Sequence, residues 1–396
     1  MTIRKSGCLG RRIMRTLAGC VAVLALLAGQ GAAAQTAVDS ATATKIDAVF
    51  ADHSRPDMPG YAVGIVRDGQ VLYAKGYGAA NLDDRTPITA DTAFHLASLS
   101  KQFTASALAI LIGEGKVSLT DPVGKYIPQA RRYGPGLQIR HLVYMTSGLV
   151  DYNDVKRPNG DPWFSDSYFD IDDAIRSSLS RPLAFRPGTR WAYRNINFML
   201  IARIVEKVSG QSLHDFLQTH MFTPLGMTAT LVDDDTTEVI PHRAIGYAPR
   251  SPLIVGELHK VGIKARSDGD WVRLNRVSPH YGGSGVFSTI DDVAKWEDNF
   301  DHPKAGGAGY VALMYRTEKF RHDKVDDAFG LVWRDEDGVK RLDYSGEDLD
   351  TNTYMAHFPD SHLSVICLSN MLTGDCEGHA RQVIAILTSA GWFSAK

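Results

Sequence analysis

Ser98 and Lys101, in the run Phe94-His95-Leu96-Ala97-Ser98-Leu99-Ser100-Lys101, form Ser-x-x-Lys directly before an apolar stretch from Gln102 to Ile112 that reads as a helix. Side chains three residues apart on a helix share a face, so the lysine amine can reach the serine oxygen. The start of the helix also offers backbone N–H groups to developing negative charge. Acyl transfer needs a nucleophile, a group that takes its proton and returns it to the leaving group, and donors for the oxyanion. Ser98 and Lys101 supply the first and part of the second. A lysine serves as a base only when burial or neighbouring positive charge favours the free amine; otherwise it stays charged and stabilises an anionic partner. Tyr193, in Trp191-Ala192-Tyr193-Arg194-Asn195, is a phenol that could be that partner, with Asn195 two residues on able to face the same way. Taken alone, Tyr-x-Asn fits equally an ordinary turn before the helix that begins near Ile196.

Other chemistries fit less well. His95 stands three residues before Ser98, but adjacency in sequence does not make a triad, and packing or surface use is the plainer expectation. There is no Gly-x-Ser-x-Gly, which counts against a nucleophile elbow. There is no Cys-x-x-Cys and no His-Glu-x-x-His, so neither a metal site nor a cofactor is expected.

These residues need elements to hold them. Tyr61 to Val66 and Val71 to Tyr77 alternate as strands joined through Asp68-Gly69, a hairpin signal. From about Val117 to Pro279 the pattern is mostly helical with long loops, including a helix from Ile196 to Val208 that stops at Gly210. Within that lobe Trp163, Phe164, Tyr168 and Phe169 read as core aromatics. Ser251 to Pro279 is the least regular stretch and is expected to be a loop over the surface or the cleft. Ser288-x-x-Asp291 is expected to cap a helix through Trp296. Strands return at Leu331 to Arg334, Lys340 to Tyr344, Thr353 to Phe358 and Leu363 to Leu368, before a closing helix at Gln382 to Ser389. The late strands are joined by hairpins, so the expectation is an α+β fold: an antiparallel sheet built from N- and C-terminal strands, flanked by helices, with a mostly helical lobe over about 117–280 inserted.

The N-terminus reads as a secretory signal over residues 1–34: Arg4, Lys5, Arg11, Arg12 and Arg15 precede a short apolar core from Leu17 to Gly29 and the small residues Ala32-Ala33-Ala34. The expectation is a periplasmic or secreted destination, with Arg11-Arg12 leaving the twin-arginine route open. The full sequence carries a formal net charge of −2, and loss of five basic residues would make the remainder more acidic. Nothing basic suggests nucleic acid, and no later apolar run is long enough to span a bilayer. Cys8 and Cys20 fall in the signal; Cys367 and Cys376 remain, with a buried thiol at Cys367 the plainer expectation and a disulfide the alternative.

Several ordered motifs together carry a resemblance: Ser-x-x-Lys at Ser98, Thr146-Ser147-Gly148-Leu149, Phe185-Arg186-Pro187-Gly188-Thr189, Tyr-x-Asn at Tyr193, Pro224-Leu225-Gly226-Met227, and Gly282-Gly283-Ser284-Gly285 before Ser288. From about residue 45 to 390 the chain resembles the serine β-lactamase and penicillin-binding superfamily, in particular class C β-lactamases, D-Ala-D-Ala carboxypeptidases and esterases of that fold. The resemblance implies a β-lactamase-like serine hydrolase domain over 35–396. It implies an acylated Ser98, proton transfer shared by Lys101 and Tyr193, and Asn195 orienting substrate. The family's third motif should fall at Tyr344-Ser345-Gly346, where Tyr344 replaces the usual cation, and Glu347, Asp348 and Asp350 add negative charge. The implied oxyanion donors are the backbone N–H groups of Ser98 and Glu347. Small esters and D-amino-acid amides or peptides are the implied substrates, cell-wall peptide among them. A class C-like β-lactamase, or a non-catalytic sensor or scaffold of the same fold, is the alternative.

Overall fold

The structure, a computed structural model, describes residues 37–155, 168–260, 262–274, 278–318, 326–336 and 339–393. The expected signal over 1–34 and the aromatics Trp163 and Phe164 lie outside those residues. Helix α1 (Ser40–Val49) begins at Asp39, whose carboxylate accepts from the Ala41 and Thr42 amides. Strands β1 (Tyr61–Arg67) and β2 (Gln70–Tyr77) form the hairpin anticipated from Asp68-Gly69. Short strand β3 (Phe94–His95) runs through a tight turn, Ala97–Leu99, into α2 (Ser100–Gly113). Helix α3 (Asn195–Ser209) ends at Gly210, whose left-handed φ of 75° is the usual stop for a helix.

The central region is less purely helical than its sequence pattern. Strands β4 (Leu231–Val232) and β5 (Gly246–Pro249) are followed by α4 (Pro252–Lys260) and β6 (Trp271–Leu274). The loop expected over Ser251 to Pro279 therefore contains a helix and a strand, and β6 pairs with β5 across it. The cause is a small local core: Leu258 of α4 packs with Ala248, Val272 and Leu274. Phe169 is core as expected, whereas Tyr168 is 59% exposed.

Strand β7 (Val286–Ser288) then leads to α5 (Ile290–Asp301). Its cap is Thr289, whose hydroxyl accepts from the Asp292 amide at 3.2 Å, not Ser288. Ser288 is still in the strand, with its hydroxyl 2.7 Å from that of Thr230. The chain closes with β8 (Val332–Glu336), β9 (Val339–Asp348), β10 (Thr351–Phe358), β11 (Leu363–Ser369) and α6 (Cys376–Ser389).

The main sheet is antiparallel in the order β8-β9-β10-β11-β1-β2. The chain's first strand thus lies beside its last, with Val63 opposite Cys367 and Ile65 opposite Val365. On one face Ile46 of α1 and Val383 and Leu387 of α6 pack against Val63, Ile65 and Val365. On the other, Ile290 and Val293 of α5 pack against Ala62, Ile366 and Leu368, in a core that continues into the helical lobe. Burial on both faces is why β1 and β11 read as apolar runs instead of alternating. Cys367 and Cys376 are both buried free thiols, and the Cys376 Sγ–H donates to the Asn352 carbonyl at 3.1 Å. Trp296 of α5 fixes the lobe: its indole lies 4.2 Å from the Phe103 ring and donates to Gln102 Oε1 at 2.6 Å. Burying side chains of this size stabilises by about 1.5–3 kcal/mol each, so α2 is held from behind.

Candidate active site

Ser98 sits in the turn that opens α2, one residue after Ala97, which has a positive φ of 48°. A non-glycine residue in that region costs on the order of 1 kcal/mol, and such strain collects at functional sites. Ser98 Oγ lies 2.6 Å from the Tyr193 hydroxyl, and Lys101 Nζ donates to Ser98 Oγ at 3.0 Å. Lys101 is completely buried. Its other two hydrogens go to Asn195 Oδ1 at 2.9 Å and the Gly283 carbonyl at 2.6 Å. An ammonium has three donors and no acceptor, so all three are satisfied and the nitrogen has one orientation. Ser98, Lys101, Tyr193 and Asn195 are therefore brought together as expected.

Three elements converge to make this. The Gly282–Val286 segment is laced to α2: besides Lys101 on Gly283, Thr104 Oγ1 donates to the Gly282 carbonyl at 2.8 Å and Ser100 Oγ accepts from the Val286 amide at 2.9 Å. Asn195 opens α3, and its amide donates to Asp151 Oδ2. Asp151 is buried, and burial raises its carboxyl above the ordinary range against the opposing pull of that amide and of Lys101 and Arg194. Strand β9 supplies the third side. A Cβ on Gly346 would fall 2.4 Å from the Leu96 carbonyl and 3.0 Å from the Ser98 amide, so only glycine lets β9 pass this close to Ser98.

A cavity of about 320 Å³ opens over Ser98, walled by Tyr193, Asn195, Gly283 and Ser284 on one side and by Glu347 and Asp348 on the other. Ser345 is exposed, and it and Tyr344 stand outside the lining. Tyr344 packs behind Tyr193: burial pushes its phenol well above the ordinary range, and Tyr193 and Asp327 add to the rise. Asp350 was expected to add charge to the cleft. Instead it is buried and bonds His95 Nδ1 at 2.8 Å. His95 does not touch Ser98; its Nε2 lies 2.9 Å from Ser284 Oγ. The sequence singled out neither Asp151 nor the Gly283 carbonyl, and it did not anticipate the pairing of His95 with Asp350. The only available signal was the glycine-rich turn at 282–285, whose backbone use has no side-chain signature.

A family model described as Beta-lactamase matches residues 46–388. The chain belongs to the Beta-lactamase family. It is 33% identical to a D-aminopeptidase of Gluconobacter oxydans over 88% of its own length and 63% of that protein's. To penicillin-binding protein 4* of Bacillus subtilis it is 28% identical, over 76% of this chain and 66% of the relative. This Beta-lactamase-family chain thus spans somewhat less than two thirds of the length of these two relatives. Among solved structures, the D-amino acid amidase of Ochrobactrum anthropi SV3 superposes with a TM-score of 0.72 at 20% identity, over 88% of this chain and 99% of that one, which shows the shared fold. Among the described residues no helix is long and apolar enough to cross a membrane.

Proposed function

We propose that this protein is an exported serine hydrolase that forms an acyl-enzyme on Ser98 and acts on small esters or on D-amino-acid amides and peptides. The observation that carries the reading is the short chain Lys101 Nζ–Ser98 Oγ–Tyr193 OH, at 3.0 and 2.6 Å. In the proposed reaction Ser98 Oγ attacks the substrate carbonyl and its proton passes to the Tyr193 oxygen. Tyr193 reacts as its phenolate, whose negative charge the Lys101 ammonium, 4.8 Å from the ring centre, offsets until the arriving proton neutralises it. The oxyanion is met by the Ser98 amide and, from β9, by the Glu347 amide. Collapse expels the alcohol or amine, which takes the proton from Tyr193. Water then attacks the ester on Ser98 by the reverse proton path, releasing the acid. Asn195, fixed by Lys101 and Asp151, orients the substrate.

The walls of the cavity support that substrate class. Glu347 and Asp348 line the cavity, while among the described residues no arginine lines it and Lys101 lies beneath its floor. An amine-bearing substrate gains from those carboxylates and a carboxylate-bearing one loses. The names of the D-aminopeptidase and amidase relatives agree with that class. The test is a panel of short p-nitrophenyl esters, D- and L-amino-acid amides and nitrocefin, run beside Ser98→Ala. Turnover of esters or D-amides that falls by at least roughly 10³-fold in Ser98→Ala supports the reading. Wild-type-like turnover in that variant, or nitrocefin as the best substrate, overturns it.

A further inference from the structure

Beside the Ser98 group, a second set of side chains has the connectivity of a histidine-activated serine. Ser284 borders the same cavity. Its Oγ lies 2.9 Å from His95 Nε2, and His95 Nδ1 lies 2.8 Å from Asp350 Oδ1. The backbone settles the tautomer. The Gly285 N–H, an obligatory donor, points at His95 Nε2 at 3.3 Å, so the ring lone pair is on Nε2 and the ring proton on Nδ1, aimed at Asp350. Ser284 O–H then donates to Nε2. A nucleophile bonded to a base that is oriented by a carboxylate is recognised by such roles and not by order in the chain.

The set is also built to stay in place. The His95 ring stacks on Phe287, with centroids 5.2 Å apart, and both His95 and Asp350 are buried. Thr351, next to Asp350, donates its hydroxyl to the His95 carbonyl at 2.8 Å, tying β10 to β3. Ser284 follows Gly283, whose carbonyl holds Lys101, so the turn 282–285 presents one residue to each centre.

We propose that Ser284, His95 and Asp350 form a second nucleophilic centre on the cavity, able to take an acyl or phosphonyl group from a small activated ester without Ser98. Ser284 Oγ forms the new bond to the carbonyl carbon or phosphorus while its proton moves to His95 Nε2. Asp350 stabilises the resulting imidazolium. The bond to the leaving group breaks, and the leaving group departs with that proton, as an alcohol from an ester or as hydrogen fluoride from a fluorophosphonate.

The test uses the full chain carrying Ser98→Ala, incubated with an alkyl fluorophosphonate and read by intact mass and peptide mapping. One phosphonyl adduct on the peptide containing Ser284 is expected, and none when Ser284→Ala is added. Asp350→Asn in the Ser98→Ala background should slow labelling on the order of 10²–10⁴-fold. No adduct in Ser98→Ala, or an adduct that survives Ser284→Ala, overturns the proposal, as does an unchanged rate in Asp350→Asn. The serine variants each remove a single hydroxyl, and melting temperatures check the folds. Should Asp350→Asn fail to fold, the two serine variants alone decide. The Ser98 reading stands or falls separately, on turnover by the unaltered protein.

Discussion

Lys101 makes three polar contacts that substitution of the lysine removes together. Lys101→Ala frees Ser98, Asn195 and the Gly283 carbonyl together, whereas Tyr193→Phe deletes only the proton acceptor. Each should slow acylation by roughly 10²–10⁴-fold, the usual worth of a positioned acid or base. The double variant should be little worse than either single one, because groups that act as a unit are non-additive; pre-steady-state acylation rates check this. Glu347 and Asp348 make a second claim at this scale. Exposed charges are worth up to about 1 kcal/mol each, so anionic substrates should trail neutral or amine-bearing ones by roughly tenfold in kcat/KM, with the gap closing at high salt. Asp327 gives a third: burial pushes its carboxyl up to about 6, against the pull of the Trp191 indole N–H and Arg334. The unfolded chain releases that proton near 3.9. Between the two values the folded state alone holds the proton, so this group's contribution to stability is full below about 4 and is lost as pH rises through about 6. Asp327→Asn keeps an acceptor for Trp191 and should flatten that decline in Tm. Ser98 and Lys101 were legible as neighbours because Ser-x-x-Lys sets two side chains at a fixed spacing, whereas Tyr193 and Asn195 were placed beside them by the family resemblance and not by spacing. Asp350 was misplaced because a carboxylate beside a cleft and one turned inward onto His95 look identical in one dimension.

Elements were legible where local chemistry and tertiary packing agree. The β1–β2 hairpin, the stop of α3 at Gly210 and the four late strands all follow from turn residues and apolar pattern. The failures have specific causes. Between Ser251 and Pro279 the apolar positions serve a core of a few side chains, Leu258 with Ala248, Val272 and Leu274, too small to leave a period in sequence. At the start of α5, Ser288 and Thr289 are both competent caps, and strand pairing of Ser288 with Phe94 hands the cap to Thr289. Thr289→Ala should therefore cost about 1 kcal/mol in denaturant unfolding, the usual worth of a cap. Gly346 is the element-scale test of the site. An alanine there would press on the Leu96 carbonyl, which cannot retreat without moving the Ser98 turn. Gly346→Ala should lower kcat by at least tenfold while leaving the fold intact by circular dichroism, because displacing β9 by a fraction of an ångström misplaces oxyanion donors.

For the whole molecule, the arrangement of the sheet was legible because strands at both ends of the chain, with helices between, leave few ways to pair. What could not be read was that Asp151 and the Gly283 carbonyl, from the middle of the chain, would hold Asn195 and Lys101, since that depends on how three elements converge. The pairing of β1 with β11 has a consequence for the order of events during synthesis. Until Leu363–Ser369 has emerged, β1 and β2 are an isolated hairpin, and isolated hairpins are at best marginally stable in water. The Ser98 turn likewise lacks the Gly346 wall, and His95 lacks Asp350. Contacts between such distant parts of a chain form slowly, so the nascent polypeptide stays open through most of its translation. An unfinished copy therefore carries Ser98 and Lys101 but not the cleft around them, and the proposed hydrolysis waits on the last strands.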